Sequence, residues 1–385
     1  MSEAGRLGAV GFGAIAVSFG PARAGYGLFL PDFREEFGLS IQQAGFVASG
    51  LQAGYLIALT AVGCLVARTG PRPMVLLGML AAGLGMILVA AAPDAVWLAA
   101  GIVIAGTSAG WSWAPYNDVV DRAVPRDLQG RVLSVISTGT TFGVLGAGLT
   151  ALVVGASWRV GWLVFAASAV VAASANARVL PGGSHTDKPA EDGNTSGFGW
   201  LARPESASLF TVAFSFGAVS AFYWAFAVDL VSGASDLVFV AGPLFYIAVG
   251  AAGFAGLLTG DAVNRFGLVV VLLAILAALG ASCGLLAAAP GSLAASGVSA
   301  VLYGVGVMAM SSLLALWSSL VFSERPATGF SATLFLFGLG CVAGPAALGA
   351  YGGEFGLEAA FGISTAISVV TAAAVLLPVK PRPQR

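Results

Sequence analysis

The chain has 385 residues and a net charge of −1 at pH 7, and 58% of its residues are hydrophobic whereas only 9% are charged. Soluble domains carry about 25% charged residues, so this composition excludes an ordinary soluble fold. It predicts an all-α integral membrane protein, because apolar helices of about 20 residues cross a bilayer core of roughly 30 Å.

Twelve apolar runs of that length follow one another along the chain, and we number them spans 1 to 12. The alternating polarity that is typical of β-barrel strands of about 10 residues is absent from the sequence. The runs cover residues 8–30, 42–67, 73–93, 95–117, 129–155, 158–180, 208–230, 237–260, 268–290, 292–321, 327–351 and 356–378.

Lysine and arginine are distributed unevenly between the predicted loops. If the spans alternate from a cytoplasmic N-terminus, the inner side holds 14 of the 17 basic residues, the outer side holds Arg34 and Arg159, and span 1 holds Arg23. The positive-inside rule then predicts a multi-pass protein of the cytoplasmic membrane with both termini in the cytoplasm. Basic residues in many inner loops are topology signals, so we expect no nucleic-acid partner. The expected partners are the lipid bilayer and a small-molecule substrate, and we expect a monomer.

One long polar segment, residues 181–207, divides the spans six and six. Its Gly, Pro, Ser and Asp content predicts a flexible cytoplasmic linker between an N-terminal half, residues 1–180, and a C-terminal half, residues 208–385. The halves also repeat each other with a shift of 197 residues, at which SFG 18–20 falls on SFG 215–217. This repeat predicts two pseudo-symmetric six-helix bundles, the arrangement of many transporters. Among the positions that coincide are Gly63 with Gly260, Arg68 with Arg265, Gly70 with Gly267, Tyr26 with Tyr223 and Asp32 with Asp229.

A short cytoplasmic turn is predicted twice, between spans 2 and 3 and between spans 8 and 9. Its glycines favour tight turning and close helix approach, and its arginines hold it on the inner side. We expect these residues to act on the conformational equilibrium and not on substrate affinity. The first copy contains Gly63, Arg68, Gly70 and Arg72, and the weaker second copy contains Gly260, Asn264, Arg265 and Gly267.

These turns resemble the Gly-x-x-x-Asp-Arg-x-Gly-x-Arg motif of the major facilitator superfamily, although Ala67 stands where the family has aspartate. The segment WRVGWLVF at 158–165 is also similar to that family, as is the glycine-rich fifth span, which lacks the proline of the antiporter motif. RAGYGLFLPDFREEFGLS at 23–40 looks like helix 1 of uncharacterised bacterial members. The resemblance implies a twelve-helix secondary transporter, not an enzyme, that works by alternating access without a cofactor.

Arg23 is the sharpest candidate for substrate binding, because it is the basic residue that lies well inside a span. A charge at that depth needs a partner or a watery cavity, and guanidinium matches the two oxygens of a carboxylate. We therefore expect an anionic substrate. The alternative is a structural arginine that reaches outward or binds backbone opened near Pro21.

Further side chains are expected to line a cavity with Arg23, because the family resemblance places helices 1, 4, 7 and 10 around it. Each of these side chains could equally serve in packing. The candidates are Tyr26, Gln52, Tyr55, Trp111, Tyr223, Trp224, Tyr246 and Tyr303.

Two other functions stay open from the sequence. If Arg23 is structural, the chain could export a hydrophobic compound. NDVVD at 117–121 resembles the magnesium-binding segment of membrane prenyltransferases, but the second Asp-rich motif of those enzymes is missing. Cys64, Cys283 and Cys341 all lie within spans, so we expect neither a disulfide nor a metal site.

Overall fold

The computed structural model describes residues 2–182, 204–234 and 238–376. Most of the predicted linker lies outside these ranges, so the domain boundaries at residues 180 and 208 stay predictions. Within the described ranges twelve helices are long and apolar enough to cross a membrane, as predicted, and no strand occurs. Spans 1 to 12 are Glu3–Leu28, Ile41–Val66, Pro71–Ala90, Ala95–Ala123, Arg126–Val154, Trp158–Val179, Ser206–Ala234, Val240–Phe266, Leu268–Ala288, Leu293–Val321, Thr328–Phe355 and Leu357–Leu376.

Side-chain caps explain where several spans begin. Before span 2, the Ser40 hydroxyl accepts a bond from the Gln43 amide at 3.2 Å, and the Gln43 side chain accepts one from the Ser40 amide at 2.9 Å. Before span 4, the Asp94 carboxylate accepts bonds from two backbone amides. Such caps satisfy N–H groups that have no partner within the helix.

The two predicted inner turns share one backbone geometry. Gly70 ends span 2 with φ of +80°, and Gly267 ends span 8 with φ of +84°. Each glycine donates its amide, at 2.9 Å, to the carbonyl four residues earlier, that of Val66 or Val263. Because L-residues rarely adopt this conformation, the glycines are required there, and the prediction of a tight glycine turn in both halves is confirmed.

Span 1 is interrupted by a π-helical turn, Gly20–Ala24, which separates the α-helices Glu3–Phe19 and Gly25–Leu28. Pro21 lies in this turn and has no N–H to continue an α-helical ladder. The equivalent position in span 7 is Ala218, and there Pro204–Ala234 forms one continuous α-helix. After span 1, a short helix Leu30–Phe37 leads to span 2.

The repeat also extends to the close packing of the spans. Gly20 packs so tightly on the backbone of Gly143 in span 5 that a Cβ would clash. Its equivalent Gly217 packs in the same way on the carbonyl of Phe337 in span 11. Small residues let membrane helices approach backbone to backbone, and here they do so at matching positions of the two halves.

The two halves meet closely at one end of the bundle. We call this the outer side, following the orientation that the basic residues predict, and the opposite end the inner side. Gly27 of span 1 packs against the carbonyl of Trp224 in span 7, and Gly45 of span 2 packs against that of Pro345 in span 11. Spans 5 and 8 meet similarly at Gly148. The helical bundle is therefore closed on the outer side.

Candidate functional site

The π turn of span 1 presents Arg23 to span 2. The Arg23 Nη2 donates a hydrogen bond to the Gln52 Oε1 at 2.5 Å. Its guanidinium lies 4.4 Å from the centroid of the Tyr55 ring and 5.2 Å from that of Phe19. The charge is thus held by one amide and two aromatic faces, and both span 2 partners were predicted for the site from the sequence.

The charge of Arg23 has no carboxylate partner among the residues that the structure describes. Guanidinium carries five N–H groups, and in the described part of the chain one hydrogen bond from it is formed. The side chain is half-buried, so its remaining donors are available to a solute or to water. A fixed cation with spare donors and neutral neighbours can bind an anion.

Two aromatic residues near Arg23 were missed by the sequence analysis. Phe19 lies four residues before Arg23, and the edge of Trp113 packs on its ring with centroids 6.2 Å apart. The spacing of Phe19 from Arg23 is the helical i, i+4 signal that could have found it. Trp111, which was predicted instead, is half-buried next to Gly78 of span 3, and no hydrogen bond or ring contact joins it to another site residue within the described ranges.

Four predicted residues of the C-terminal half form one aromatic cluster. The rings of Tyr223 and Tyr303 stack with centroids 3.7 Å apart, and the Trp224 ring meets both Tyr246 and Tyr303 edge-on at about 5.5 Å. The three tyrosines are buried, whereas Trp224 is half-buried. The cluster is thus a packed wall whose accessible member is Trp224.

The repeat equivalent of Arg23 is Ser220, and it belongs to this wall. The Tyr303 hydroxyl is 2.8 Å from the Ser220 hydroxyl and donates to the Ser220 carbonyl at 2.9 Å. The Tyr223 hydroxyl is 2.7 Å from that of Ser299. Span 1 therefore has a cation where span 7, at the equivalent position of the repeat, has a neutral hydroxyl group.

Tyr26 belongs to the outer closure, and its described hydrogen bond and ring contact are with residues other than Arg23. Its hydroxyl donates to the Ala44 carbonyl of span 2 at 2.7 Å, and its ring stacks on Phe33. Only 2% of Tyr26 is exposed. In this conformation Tyr26 fixes spans 1 and 2 together, and a role in substrate binding stays a prediction.

An ion pair joins the two halves on the outer side. The Arg34 Nη1 contacts the Asp229 Oδ2 at the end of span 7, and the Arg34 Nε donates to the Leu39 carbonyl at 3.1 Å. Asp229 is 5% exposed and Arg34 is 30% exposed. A second outer ion pair, Arg159 with Glu36 at 2.5 Å, lies within the N-terminal half.

Comparison with known proteins decides the family. The sequence profile of the Major Facilitator Superfamily matches residues 12–345. The chain belongs to this superfamily. It is therefore a multi-pass membrane transporter and not an enzyme, and the resemblance predicted from the turn motif is confirmed.

Solved transporters share the fold over nearly the whole chain, at identities that show the fold alone. A mutant of the nucleoside transporter NupG matches with a TM-score of 0.80 and 13% identity over 97% of this chain and 98% of that one. A bacterial homologue of the human lysosomal transporter Spinster matches at 0.76 and 16% over 97% and 96%. A POT family transporter in complex with 5-aminolevulinic acid matches at 0.80 and 12% over 96% and 95%.

A curated relative matches a shorter part of the chain. A chloramphenicol resistance protein from Streptomyces lividans is 31% identical over 163 residues. The match covers 41% of this chain and 41% of that protein, so it spans less than half of the relative's length.

Among the described residues of the superfamily turn motif, Arg72 is the arginine that ties the turn to another span, whereas Arg265 lies over the ring of its neighbour Phe266 at 5.3 Å. The Arg72 Nη2 donates to the Ala177 carbonyl at 2.5 Å and so ties the turn to the end of span 6. Arg68 is exposed, as are Asn264 and Arg265 of the second copy.

Two glycines of the motif do not behave as expected. A Cβ on Gly63 or on Gly260 would meet no described atom within 4 Å. The expected close helix approach is therefore absent at these two positions in this conformation, because the halves are joined here on the outer side and the turns lie on the inner side.

The segment NDVVD lies at the inner end of span 4. Asp118 forms an ion pair with Arg122 one helical turn later, at 2.7 Å. No group of metal-ligating side chains occurs in the described ranges. Membership in a transporter family overturns the prenyltransferase alternative, and the carboxylate of Asp118 pairs with a neighbouring inner-surface arginine.

Proposed function

We propose that this protein is a secondary active transporter of a small organic anion that bears a carboxylate. The observation that carries the proposal is Arg23, a half-buried cation in span 1 with neutral partners and unused donors. Arginine stays protonated at every physiological pH, so its charge is always available to an anion that enters the site. A carboxylate supplies two oxygens that match two parallel N–H groups of guanidinium.

The surroundings of Arg23 favour a solute with an apolar or aromatic body. Phe19 and Tyr55 flank the guanidinium, and Trp113 packs behind Phe19. Trp224 is the accessible ring of the wall in the other half. A carboxylate bound to Arg23 brings the rest of its molecule against these rings, where burial of apolar surface contributes about 25 cal/mol per Å².

Substitutions at Arg23 and Gln52 test whether the positive charge of Arg23 binds the anion. We expect Arg23→Ala to abolish binding and transport and Arg23→Lys to retain a fraction, since lysine keeps the charge without the paired donors. Gln52→Glu keeps the arginine but supplies an internal carboxylate in place of the amide, so it should weaken anion binding by about tenfold or more. The measurement is a thermal-shift screen of organic acids on purified protein, followed by binding titrations. Arg131→Ala, which removes an exposed inner arginine, is the control.

Export of a hydrophobic compound is the second candidate. The similarity to a chloramphenicol resistance protein favours it, and in this case Gln52, Tyr55 and Phe19 would hold Arg23 as a structural residue. Overexpression should then lower the sensitivity of cells to hydrophobic drugs. Normal transport by Arg23→Ala would reject the anion proposal in favour of this one.

A further inference from the structure

The outer ion pair connects elements that belong to different halves. Arg34 lies on the short helix Leu30–Phe37 after span 1, whereas Asp229 lies near the end of span 7. Beside it, Gly27 packs directly on the Trp224 carbonyl. In a transporter of this fold the two halves rock against each other, so access from the outer side requires this pair to separate.

The surroundings of the pair differ at its two ends. Asp229 is almost completely buried, and the described ionisable groups that face it are Arg34 and the phenol of Tyr26. Arg34 instead borders an open cleft of about 800 Å³ between spans 2 and 11, which Gln42 and Glu354 also line. The arginine can therefore leave the pair toward water, whereas the carboxylate is fixed in the interface.

The pair is an asymmetric addition to a repeated scaffold. Asp229 is the repeat equivalent of Asp32, but the position equivalent to Arg34 is Val231. Asp32 forms no ion pair with any residue in the described part of the chain. The repeat alone therefore does not require an ion pair at this place. What the Arg34–Asp229 pair adds to the repeated scaffold is a contact between the two halves.

We propose that Arg34 and Asp229 form an outer latch, which holds the two halves together on the outer side and opens once in each transport cycle. Removal of one partner leaves a charge in the closed interface without compensation, which disfavours the closed state, whereas neutralising both partners removes that cost. Because Asp229 is the more deeply buried partner, Arg34→Met should disfavour closure more than Asp229→Asn does. The double variant should close almost as well as the parent protein.

A cysteine at position 49 reports the opening. Ser49 is buried on the face of span 2 that carries Gly45 and Leu56, both of which contact span 11. Ser49→Cys is introduced after the three native cysteines are replaced by alanine, and the purified protein is treated with a maleimide without any added solute. The labelling rate is expressed relative to that of the unfolded protein. Because no solute is present, failure of the anion proposal does not affect the result.

We expect Arg34→Met to raise the labelling rate by about tenfold or more, Asp229→Asn to raise it less, and the double variant to return near the parent rate. Arg159→Met is the matched control, since it breaks an ion pair on the same side but within one half. It should leave the rate unchanged. An unchanged rate in Arg34→Met, or a double variant as open as Arg34→Met, would overturn the latch, and so would equal opening by Arg159→Met.

A crosslink tests the latch if a single variant does not fold. Arg34 and Asp229 meet through the end of a long side chain, so cysteines at positions 34 and 229 are joined with a reducible bifunctional thiol reagent of the methanethiosulfonate class. This link should protect the cysteine at position 49 from labelling, and reduction should release it again. If the reagent links the two cysteines and the labelling rate does not fall, separation of this pair is not needed for outer opening and the proposal is wrong.

Discussion

Arg23 carries a full charge at a depth where charge is expensive, about 2.5–3.5 kcal/mol on insertion scales. A hydrogen bond made by a charged group contributes about 1.5–3 kcal/mol, and a cation–π contact contributes about 0.5–2 kcal/mol. The contacts of Arg23 with Gln52, Tyr55 and Phe19 are therefore large enough to offset the cost of burial. The empty site tolerates the cation without a carboxylate, and this leaves the charge available to a solute.

Asp32, in the short helix between spans 1 and 2, supplies a prediction on pH. Burial, together with the charges of Glu35 and Glu36, raises the pKa of its carboxyl from 3.8 to about 6. The ionised form therefore destabilises the folded protein above pH 6, and this cost fades as the pH falls from 6 to 3.8. Asp32→Asn should stabilise the protein above pH 6 by about 1 kcal/mol, a value reduced for partial solvent screening.

Thermal unfolding in detergent, measured in buffers of about pH 7.5 and about pH 4, tests this effect. Glu354→Gln is the control, since it removes an exposed outer carboxylate. An equal gain for Asp32→Asn at both pH values would contradict the assignment of the effect to ionisation.

The residues of the site were only partly predictable. Arg23 could be predicted because a charged residue within an apolar span is unusual. Gln52 and Tyr55 could be predicted because they are polar residues within span 2. Trp111 was chosen in place of Trp113, since span 4 is apolar on all sides and its pattern does not show which face meets span 1. The contact of Trp113 with Phe19 depends on the packing angle of two helices, which a single sequence does not determine.

At the scale of elements, the inner turns show how a repeated sequence produces repeated geometry. Gly70 and Gly267 adopt almost the same backbone angles, with ψ of 169° and 155°. This region of conformational space is essentially restricted to glycine and costs other residues about 1–3 kcal/mol. Conformation therefore requires glycine at both positions, whatever the packing around them.

A pair of alanine substitutions separates those two causes. Gly70→Ala should destabilise the protein by about 1–3 kcal/mol and slow transport, while the affinity for substrate stays nearly unchanged because the turn is far from Arg23. Gly63→Ala is the matched control for stability, because its Cβ meets no described atom within 4 Å. Thermal unfolding and transport kinetics measure the two effects. Equal stability of the two variants would contradict the prediction, since it would show that alanine adopts the positive φ at position 70 without strain.

The π turn of span 1 is a secondary-structure feature whose form could not be predicted from the sequence. The sequence places Pro21 two residues before Arg23 and indicates disturbed backbone there. A helix can respond to proline with a kink, a break or a wider turn, and the response depends on the neighbouring helix. Here Gly20 presses against Gly143 of span 5, and the extra room of a π turn turns Arg23 toward span 2.

For the whole molecule, the number of spans and the two-fold repeat followed from hydrophobicity and spacing, and the structure confirms the twelve-helix fold. The outer latch could not be predicted in the same way. Arg34 was expected on the outer side and Asp229 falls at the end of predicted span 7, but 195 residues separate them. Their contact requires that spans 1 and 7 are neighbours and that the transporter is closed on the outer side.

The proposed anion site predicts exchange. An empty carrier must reorient with an uncompensated cation, whereas a bound carboxylate neutralises Arg23, so the loaded carrier should reorient more easily. In vesicles that hold unlabelled ligand from the thermal-shift screen, uptake of the labelled ligand should be several-fold faster than in empty vesicles. Arg23→Ala should lose this acceleration. Equal rates with and without preloading would argue against a charge-limited return step.

Because the charge of Arg23 is not neutralised by a carboxylate of the described residues, the membrane voltage should also influence the transport cycle. When access to Arg23 switches between the two sides, its charge crosses part of the transmembrane field, and a full crossing corresponds to about 2.3 kcal/mol per 100 mV. A carrier loaded with a monoanion moves no net charge at this site, so the voltage acts on the return of the empty carrier. Ser220 cannot compensate from the other half, because the repeat has a neutral hydroxyl where span 1 has arginine. A cell that is negative inside would then hold the unloaded carrier with its binding site toward the cytoplasm, in agreement with an outer side that is already closed.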